Sequence, residues 1–530
     1  MYSRVDRRFA AAALVALVGM FAELGPAGAQ TRAQRPTPDP SASLEPVPPQ
    51  TPDAVTHHSL SIEGRAYDYT ARAGTITLRN DQDQPTARVF YTAYTIDASD
   101  AMARPVTFIY NGGPGSSTMW LRMGSFGPVR VIAGDGTPSG PPPYKIVENK
   151  YSLLDKSDLV FIDMPASGFG RIFGAGNPKT FFGVDQDAAA FEQFIERYIT
   201  AFKRWNSPKF LFGESYGTTR SAALANLLMQ RGVAVDGVIL LSSILNFGLD
   251  YGNGDPIAAG DWPYVFYLPS EAAVAWYHNK IPNKAADLAS FLSRVEQFAM
   301  TDYFDALAQG DRLSAARRNA VAGRLSGFLG LTERYIRNSN LRVNYGRFQQ
   351  ELLRADGIVI GRLDGRYQTF ALDRSAQESP WDPTESSIDA PYTTAINQYL
   401  RVDLNYDTPL DYRANIYRMF YVPGTGGTPG RSLWDESHNR RQPANVAPDL
   451  AEAMTQNPAL RVFSANGYYD FATPYFATVY TLKHLSLAPA LQKNISFGFY
   501  QSGHMVYLDE PALAQFKHDL AGWYDAALAR

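Results

Sequence analysis

Hydrophobic and polar positions change their period along the chain, and the changes divide it. From Ser59 to Ile96 apolar and polar residues alternate in short runs around a polar break at Asn80-Asp81-Gln82-Asp83, the pattern of an antiparallel hairpin that begins a sheet. Four later runs are apolar almost throughout: Val106–Tyr110, Asp158–Ile162, Phe210–Gly213 and Gly237–Leu241. Such runs are expected of central strands covered on both faces. Between them Phe191, Phe194, Ile195, Tyr198, Ile199 and Phe202 recur at helical spacing behind Asp185, a candidate cap, with the intervening charged residues expected on the opposite face. Strands and helices in alternation predict an α/β fold with a mostly parallel sheet flanked by helices. From about Asn246 to Ile416 the pattern turns mainly helical, with periodic apolar positions at Ala272–Tyr277, Leu288–Phe298, Leu313–Leu325 and Phe348–Leu353. Strand character returns at Leu460–Ser464 and Ile495–Tyr500, and Pro511–Leu528 reads as a closing amphipathic helix.

The start of the chain differs from all of this. A basic stretch, the apolar run Ala10 to Phe21 and Ala27-Gly28-Ala29 fit a secretory signal over 1–29. Pro, Thr, Ser and Ala then dominate 30–55, which predicts a tether that cannot bury enough apolar surface to order itself. The expected organisation continues with the first part of a core over 56–245, an inserted cap over 246–416 and the second part of the core over 417–530. An exported protein, periplasmic or extracellular, follows from the signal, with no stable membrane span after its removal.

Composition narrows the chemistry. Of 530 residues, 45% are hydrophobic and 19% charged, the balance of a globular chain with ample core. The net charge of -3 and the absence of a Lys/Arg run offer no field for nucleic acid. There is no cysteine, so disulfides, thiolate metal sites and cysteine nucleophiles are excluded. No H-E-x-x-H or similar ligand spacing occurs, and no metal or other cofactor is expected.

Gly213-Glu214-Ser215-Tyr216-Gly217 lies between an apolar run and the helix-like Thr218–Met229, the context of a nucleophile elbow that thrusts a Ser hydroxyl out at a helix N-terminus. A serine hydroxyl needs a base, and the base needs a carboxylate to hold its tautomer. Of the seven histidines, only His504 directly follows a strand-like run on a glycine turn; Asp470, in Asn466-Gly-Tyr-Tyr-Asp470, follows the preceding strand in the same manner. The order Ser215, Asp470, His504 is that of an α/β-hydrolase. Asp509, the competing acid, follows the His and reads better as a helix cap before Pro511. Asn111-Gly-Gly-Pro-Gly-Ser-Ser117 after Val106–Tyr110 supplies a second glycine-rich loop, so the oxyanion donors would be the amides of Gly113 and Tyr216.

Together these residues resemble the serine carboxypeptidase family, in an exported, bacterial-type form. Asn111 to Ser117 is similar to the family's N-G-G-P-G-C-S-S loop, Gly213 to Gly217 to its G-E-S-Y-G elbow, and Asp163 to Gly170, more loosely, to its D-x-P-x-G-x-G-F/Y segment. Asn466 to Asp470 and Gly503-His504-Met505 resemble its acid and base turns, whereas 246–416 carries no matching motif. The resemblance implies hydrolysis of the C-terminal peptide bond through an acyl-enzyme, on a peptide whose free carboxylate is held by Asn111, Glu214 and the Gly112 amide. A carboxylate beside a carboxyl group is favourable only when one is protonated, so an acidic working range is expected. Three positions depart from the family: Ile109 replaces its Trp, Ser116 its Cys and Ser125 its second Glu. The same triad would serve a carboxylic esterase or acyltransferase, and a non-catalytic binding protein on the same fold is a third reading. The substrate pocket is guessed to be apolar and aromatic-lined.

Overall fold

The apolar runs form the centre of one ten-stranded sheet. The computed structural model describes residues 47, 50–97, 100, 102–250, 260–282, 284, 286–422 and 430–529. The expected signal over 1–29 and most of the expected tether therefore lie outside the described residues. Ala54 and Val55, placed in the tether by composition, already belong to the first strand.

Nine strands lie along the sheet: β1 (Ala54–Ile62), β2 (Arg65–Arg79), β3 (Pro85–Ile96), β4 (Val106–Tyr110), β5 (Asp158–Ile162), β6 (Lys209–Glu214), β7 (Gly237–Leu241), β8 (Arg461–Gly467) and β9 (Ile495–Tyr500). Their spatial order is β1-β2-β3-β5-β4-β6-β7-β8-β9, and a two-residue strand, Arg171–Ile172, pairs with β3. The first three strands and the β3/β5 pair are antiparallel; from β5 to β9 every neighbour is parallel. The expected hairpin turn is closed by Asn80, whose amide donates to the Gln84 carbonyl while its side chain accepts from the Gln82 and Gln84 amides.

Every residue of β4, β5, β6 and β7 is buried, as the continuous apolar runs require. Alternate residues face two cores. Val106, Phe108, Leu211 and Val238 pack against helices α2 (Val184–Ala201) and α3 (Tyr216–Gln230), while Ile109, Phe212, Ile239 and Phe463 face α1 (Met119–Gly124) and the helix Glu510–Leu528. Helix α2 corrects the periodicity reading in one respect. Glu192 was expected on its outer face, but it is buried and meets Arg231; Asp187, one turn before Phe191, is also buried and pairs with Arg220.

Between β7 and β8 lie α4 (Trp262–Tyr277), α5 (Leu288–Phe298), α6 (Ala315–Leu329) and α7 (Pro383–Gln398). The first three enclose a third core that also takes in Tyr469, Phe471 and Tyr475 from beyond β8. The C-terminal helix is α8 (Glu510–Leu528), and Asp509 caps it by accepting from the Ala512 amide at 2.7 Å. Among the described residues no helix is long and apolar enough to cross a membrane.

Candidate active site

The chain reverses direction across the sheet where β4 lies between β5 and β6, and the residues singled out above gather at the C-terminal ends of β4, β6, β8 and β9. Loops diverge there and leave a crevice, the usual ligand position on an open α/β sheet. A cavity of about 340 Å³ opens at this place, bordered by Asn111, Gly112, Gly113, Glu214, Ser215, Tyr216 and His504.

Ser215 occupies the turn from β6 into α3 with φ 60° and ψ -130°, a conformation that side chains rarely adopt. Its amide donates to the Leu241 carbonyl at 3.0 Å, and its carbonyl accepts from the Thr218 amide at 2.8 Å. The turn closes because Gly213 and Gly217 touch: a Cβ on Gly213 would stand 2.1 Å from the Gly217 oxygen. Gly112 of the second glycine-rich loop packs onto the same turn, where a Cβ would lie 2.4 Å from the Gly217 nitrogen and 2.5 Å from that of Tyr216. The two loops expected to supply oxyanion donors are therefore in direct backbone contact. Gly113, at φ +107°, takes a path closed to other residues.

His504 and Asp470 meet at 2.8 Å between Nδ1 and Oδ2. The other Asp470 oxygen accepts from the amides of Ala472 and Thr473, at 2.7 and 3.1 Å. The Thr473 hydroxyl donates to Oδ2 at 2.8 Å. So fixed, the carboxylate holds the proton on Nδ1 and leaves Nε2 as acceptor. Burial lowers the proton affinity of His504, but the Asp470 charge and hydrogen bond, aided by Glu214, outweigh it and leave the pKa raised.

Glu214 is buried beside Ser215, with an Oε2 that has no hydrogen-bond partner. Burial pushes its pKa up to about 7, against the opposing charge of His504. The Tyr507 hydroxyl and Asn111 amide favour the ionised form from nearby without closing a bond to Oε2. The Asn111 side-chain oxygen accepts from the Leu121 amide at 3.0 Å, which ties β4 to α1.

Several supporting residues escaped the sequence reading. Arg220 is fully buried, doubly bonded to Asp187, stacked over Phe191 at 4.0 Å and donating to the Asn111 carbonyl at 2.8 Å. It binds α2, α3 and the glycine-rich loop together. The loop 362–366, between α6 and α7, does the same for the other half of the site. Leu363 accepts from the His504 amide at 2.6 Å, Arg362 from the Phe471 amide at 3.0 Å, and Asp364 from the Gly503 amide at 3.1 Å. Arg366 pairs with Asp364 at 2.7 Å and with Asp509 at 2.9 Å, so this loop holds both the acid and base turns. The one available signal was a dense Asp/Arg alternation in Arg362-Leu-Asp-Gly-Arg366, within a stretch that matched no motif.

The cavity is mixed: Trp120, Phe247, Ile388 and Tyr417 border it as the apolar, aromatic guess expects, but so do charged groups. Arg362, Glu385 and Asp389 border it, the latter two one turn apart on α7. Among the described residues no group of three or more His, Asp and Glu side chains is arranged to hold a metal ion.

Residues 67–258 match a family model described as serine carboxypeptidase. The pheromone-processing carboxypeptidase of Saccharomyces cerevisiae is 31% identical over 175 residues, 30% of this chain and 22% of that protein. A carboxypeptidase Y homolog of Phaeosphaeria nodorum is 23% identical over 190 residues, 35% of this chain and 33% of its own length. The chain thus spans a third or less of these relatives. A solved proline iminopeptidase of Mycobacterium smegmatis overlaps 86% of this chain and 98% of its own, at a TM-score of 0.36 and 12% identity. Through residues 67–258, the stretch that contains the glycine-rich loop and the Ser215 turn, the chain is related to the serine carboxypeptidases.

Proposed function

We propose that the protein is an exported serine-type carboxypeptidase that releases the C-terminal residue of peptides. The observation that carries this reading is the shared cavity of a strained Ser215, an Asp470-bonded His504 and a Glu214 carboxyl with an unpartnered oxygen. The signal over 1–29, on which export rests, belongs to the same proposal.

In this mechanism the Ser215 hydroxyl attacks the last peptide carbonyl while His504 Nε2 takes its proton. Asp470 stabilises the imidazolium so formed. The amides of Gly113 and Tyr216 receive the oxyanion, and the positive end of α3 adds to their effect. Collapse breaks the C–N bond as His504 returns the proton to the departing amine. Water, deprotonated by the same His, then hydrolyses the acyl-enzyme and restores Ser215.

Asn111, the Gly112 amide and Glu214 hold the substrate's terminal carboxylate. A carboxyl that titrates near 7 is largely neutral in mild acid, so it donates a hydrogen bond to the carboxylate instead of repelling it. Two like charges at that range would not both ionise cheaply.

The test is hydrolysis of a blocked dipeptide with a free carboxylate, compared with its amide and with a simple ester. Release of the terminal amino acid from the free acid alone, reduced on the order of 10⁴-fold or more in Ser215→Ala, is the expected result. Cleavage of esters with neither peptide touched would make the protein an esterase. A Ser215→Ala variant as active as the parent would remove the nucleophile.

A further inference from the structure

Among the described residues that border the cavity, Arg362 is the one cation. Its main chain is fastened on three sides: the amide donates to Asp382 at 3.0 Å, the carbonyl accepts from Phe471, and the next residue holds the His504 amide. Its guanidinium lies 5.7 Å from the centre of the Tyr345 ring. Among the described residues it closes no hydrogen bond or ion pair, although Asp250, Glu385 and Asp389 border the same space. A guanidinium carries five donors in a rigid fork and matches a carboxylate with two parallel bonds. Its main chain, on the loop that also holds both turns of the proposed triad, has a fixed position relative to them.

The position equivalent to the family's second glutamate explains why such a cation has a task. Where the family has its second glutamate, the Ser125 hydroxyl donates back to the Leu121 carbonyl at 2.6 Å. A Cβ on the neighbouring Gly124 would fall 2.3 Å from the Tyr392 hydroxyl and 2.6 Å from the Tyr507 ring. Those contacts fill the space beside Ser125, which offers no carboxyl in place of the missing one. Glu214 alone supplies a hydrogen bond only while protonated.

We propose that Arg362 binds the terminal carboxylate of the peptide, taking the place of the absent second glutamate. The proposal rests on the carboxypeptidase reading and names a residue for its substrate recognition. The neighbouring carboxyls surround the cation without closing a bond to it: Asp382 and Asp250 favour its charge, partial desolvation and Asp382 push Asp389 up to about 6, and Glu385 is raised by desolvation, Asp382 and Asp389 against the pull of Arg362. Toward mild acid both give up their charge, while a guanidinium stays cationic throughout.

The experiment compares kcat/KM for a blocked dipeptide free acid with that for its methyl ester, in the parent, Arg362→Met and Arg362→Lys. In Arg362→Met the acid-to-ester ratio should fall about 10- to 100-fold, the size of a lost charge-assisted hydrogen bond, and the loss should lie in KM. The Lys variant, a point charge without the fork, should recover part of it. An unchanged ratio in Arg362→Met would overturn the proposal. So would an equal fall for both substrates, which would make Arg362 a support for the catalytic turns. A parent enzyme that hydrolyses the ester and no peptide would defeat the carboxypeptidase reading, and this proposal with it.

Discussion

Glu214 and His504 influence each other's charge within one buried site, each favouring the ionised form of its neighbour. Catalysis as proposed needs the opposite pair of states, a neutral imidazole and a neutral carboxyl. The pH profile of kcat/KM on a free acid should therefore be bell-shaped, both limbs belonging to the coupled His504–Glu214 pair. Glu214→Gln cannot ionise but still donates a hydrogen bond, so the upper limb should vanish or move well above 8. Persistence of that limb in the variant would assign it to another group. At this scale the sequence was informative where chemistry sits in a turn: Ser215, Asp470 and His504 each follow an apolar run at a glycine. Arg220 and Asp187 gave no comparable sign. Their partners are distant in the chain, and a charge in an apolar helix looks the same whether it is paired in the core or facing water.

At the scale of elements, the contact between the two glycine-rich turns leaves no room for a methyl group. Gly112→Ala sets a Cβ against main-chain nitrogens on an elbow that is itself braced by Leu241, so neither side can yield cheaply. Activity should fall by roughly 10²- to 10³-fold through displaced oxyanion donors, and stability by about 1–3 kcal/mol. Gly522, on α8 with no atom within 4 Å of an added Cβ, is the control: Gly522→Ala should stabilise by about 0.5–1 kcal/mol and leave kinetics alone. Denaturant titration with parallel assays separates the two. Core strands were legible because burial on both faces leaves an unbroken apolar run. The loop 362–366 was not, because it acts through main-chain carbonyls and amides that any sequence carries. Helix α2 was readable in extent and in its apolar face, but not in Glu192, which turns inward to meet the exposed Arg231, nor in Asp187, which a buried pair with Arg220 holds inside.

For the whole molecule, the third core joins α4, α5 and α6 to Tyr469, Phe471 and Tyr475, residues that flank Asp470. Losing those helices would expose the aromatic rings beside the acid turn, so thermal unfolding should proceed as one transition that abolishes activity and helical signal together. This core also contains a carboxyl: Glu271 of α4 is 2% exposed, its Oε1 has no partner, and burial raises its pKa well above the usual range. The folded state thus holds a proton that the unfolded chain releases above about 4.5. Stability from this group is complete below that pH and declines as pH rises. Glu271→Gln should raise the melting temperature increasingly from pH 5 to pH 8, by at least about 2 °C at the upper end. A gain that does not change with pH would show that Glu271 is ionised in the fold.

The order in which the site's parts occur along the chain also governs when it can first act. Ser215 follows a central strand made early, whereas His504 follows the last strand in the chain, at the sheet edge. On the ribosome, a nascent chain that already displays its serine has no base to activate it, and the peptides around it are safe. Under the proposed mechanism the protein becomes competent only when β9 docks on β8 and brings His504 to Asp470. On that mechanism its own synthesis serves as a delay.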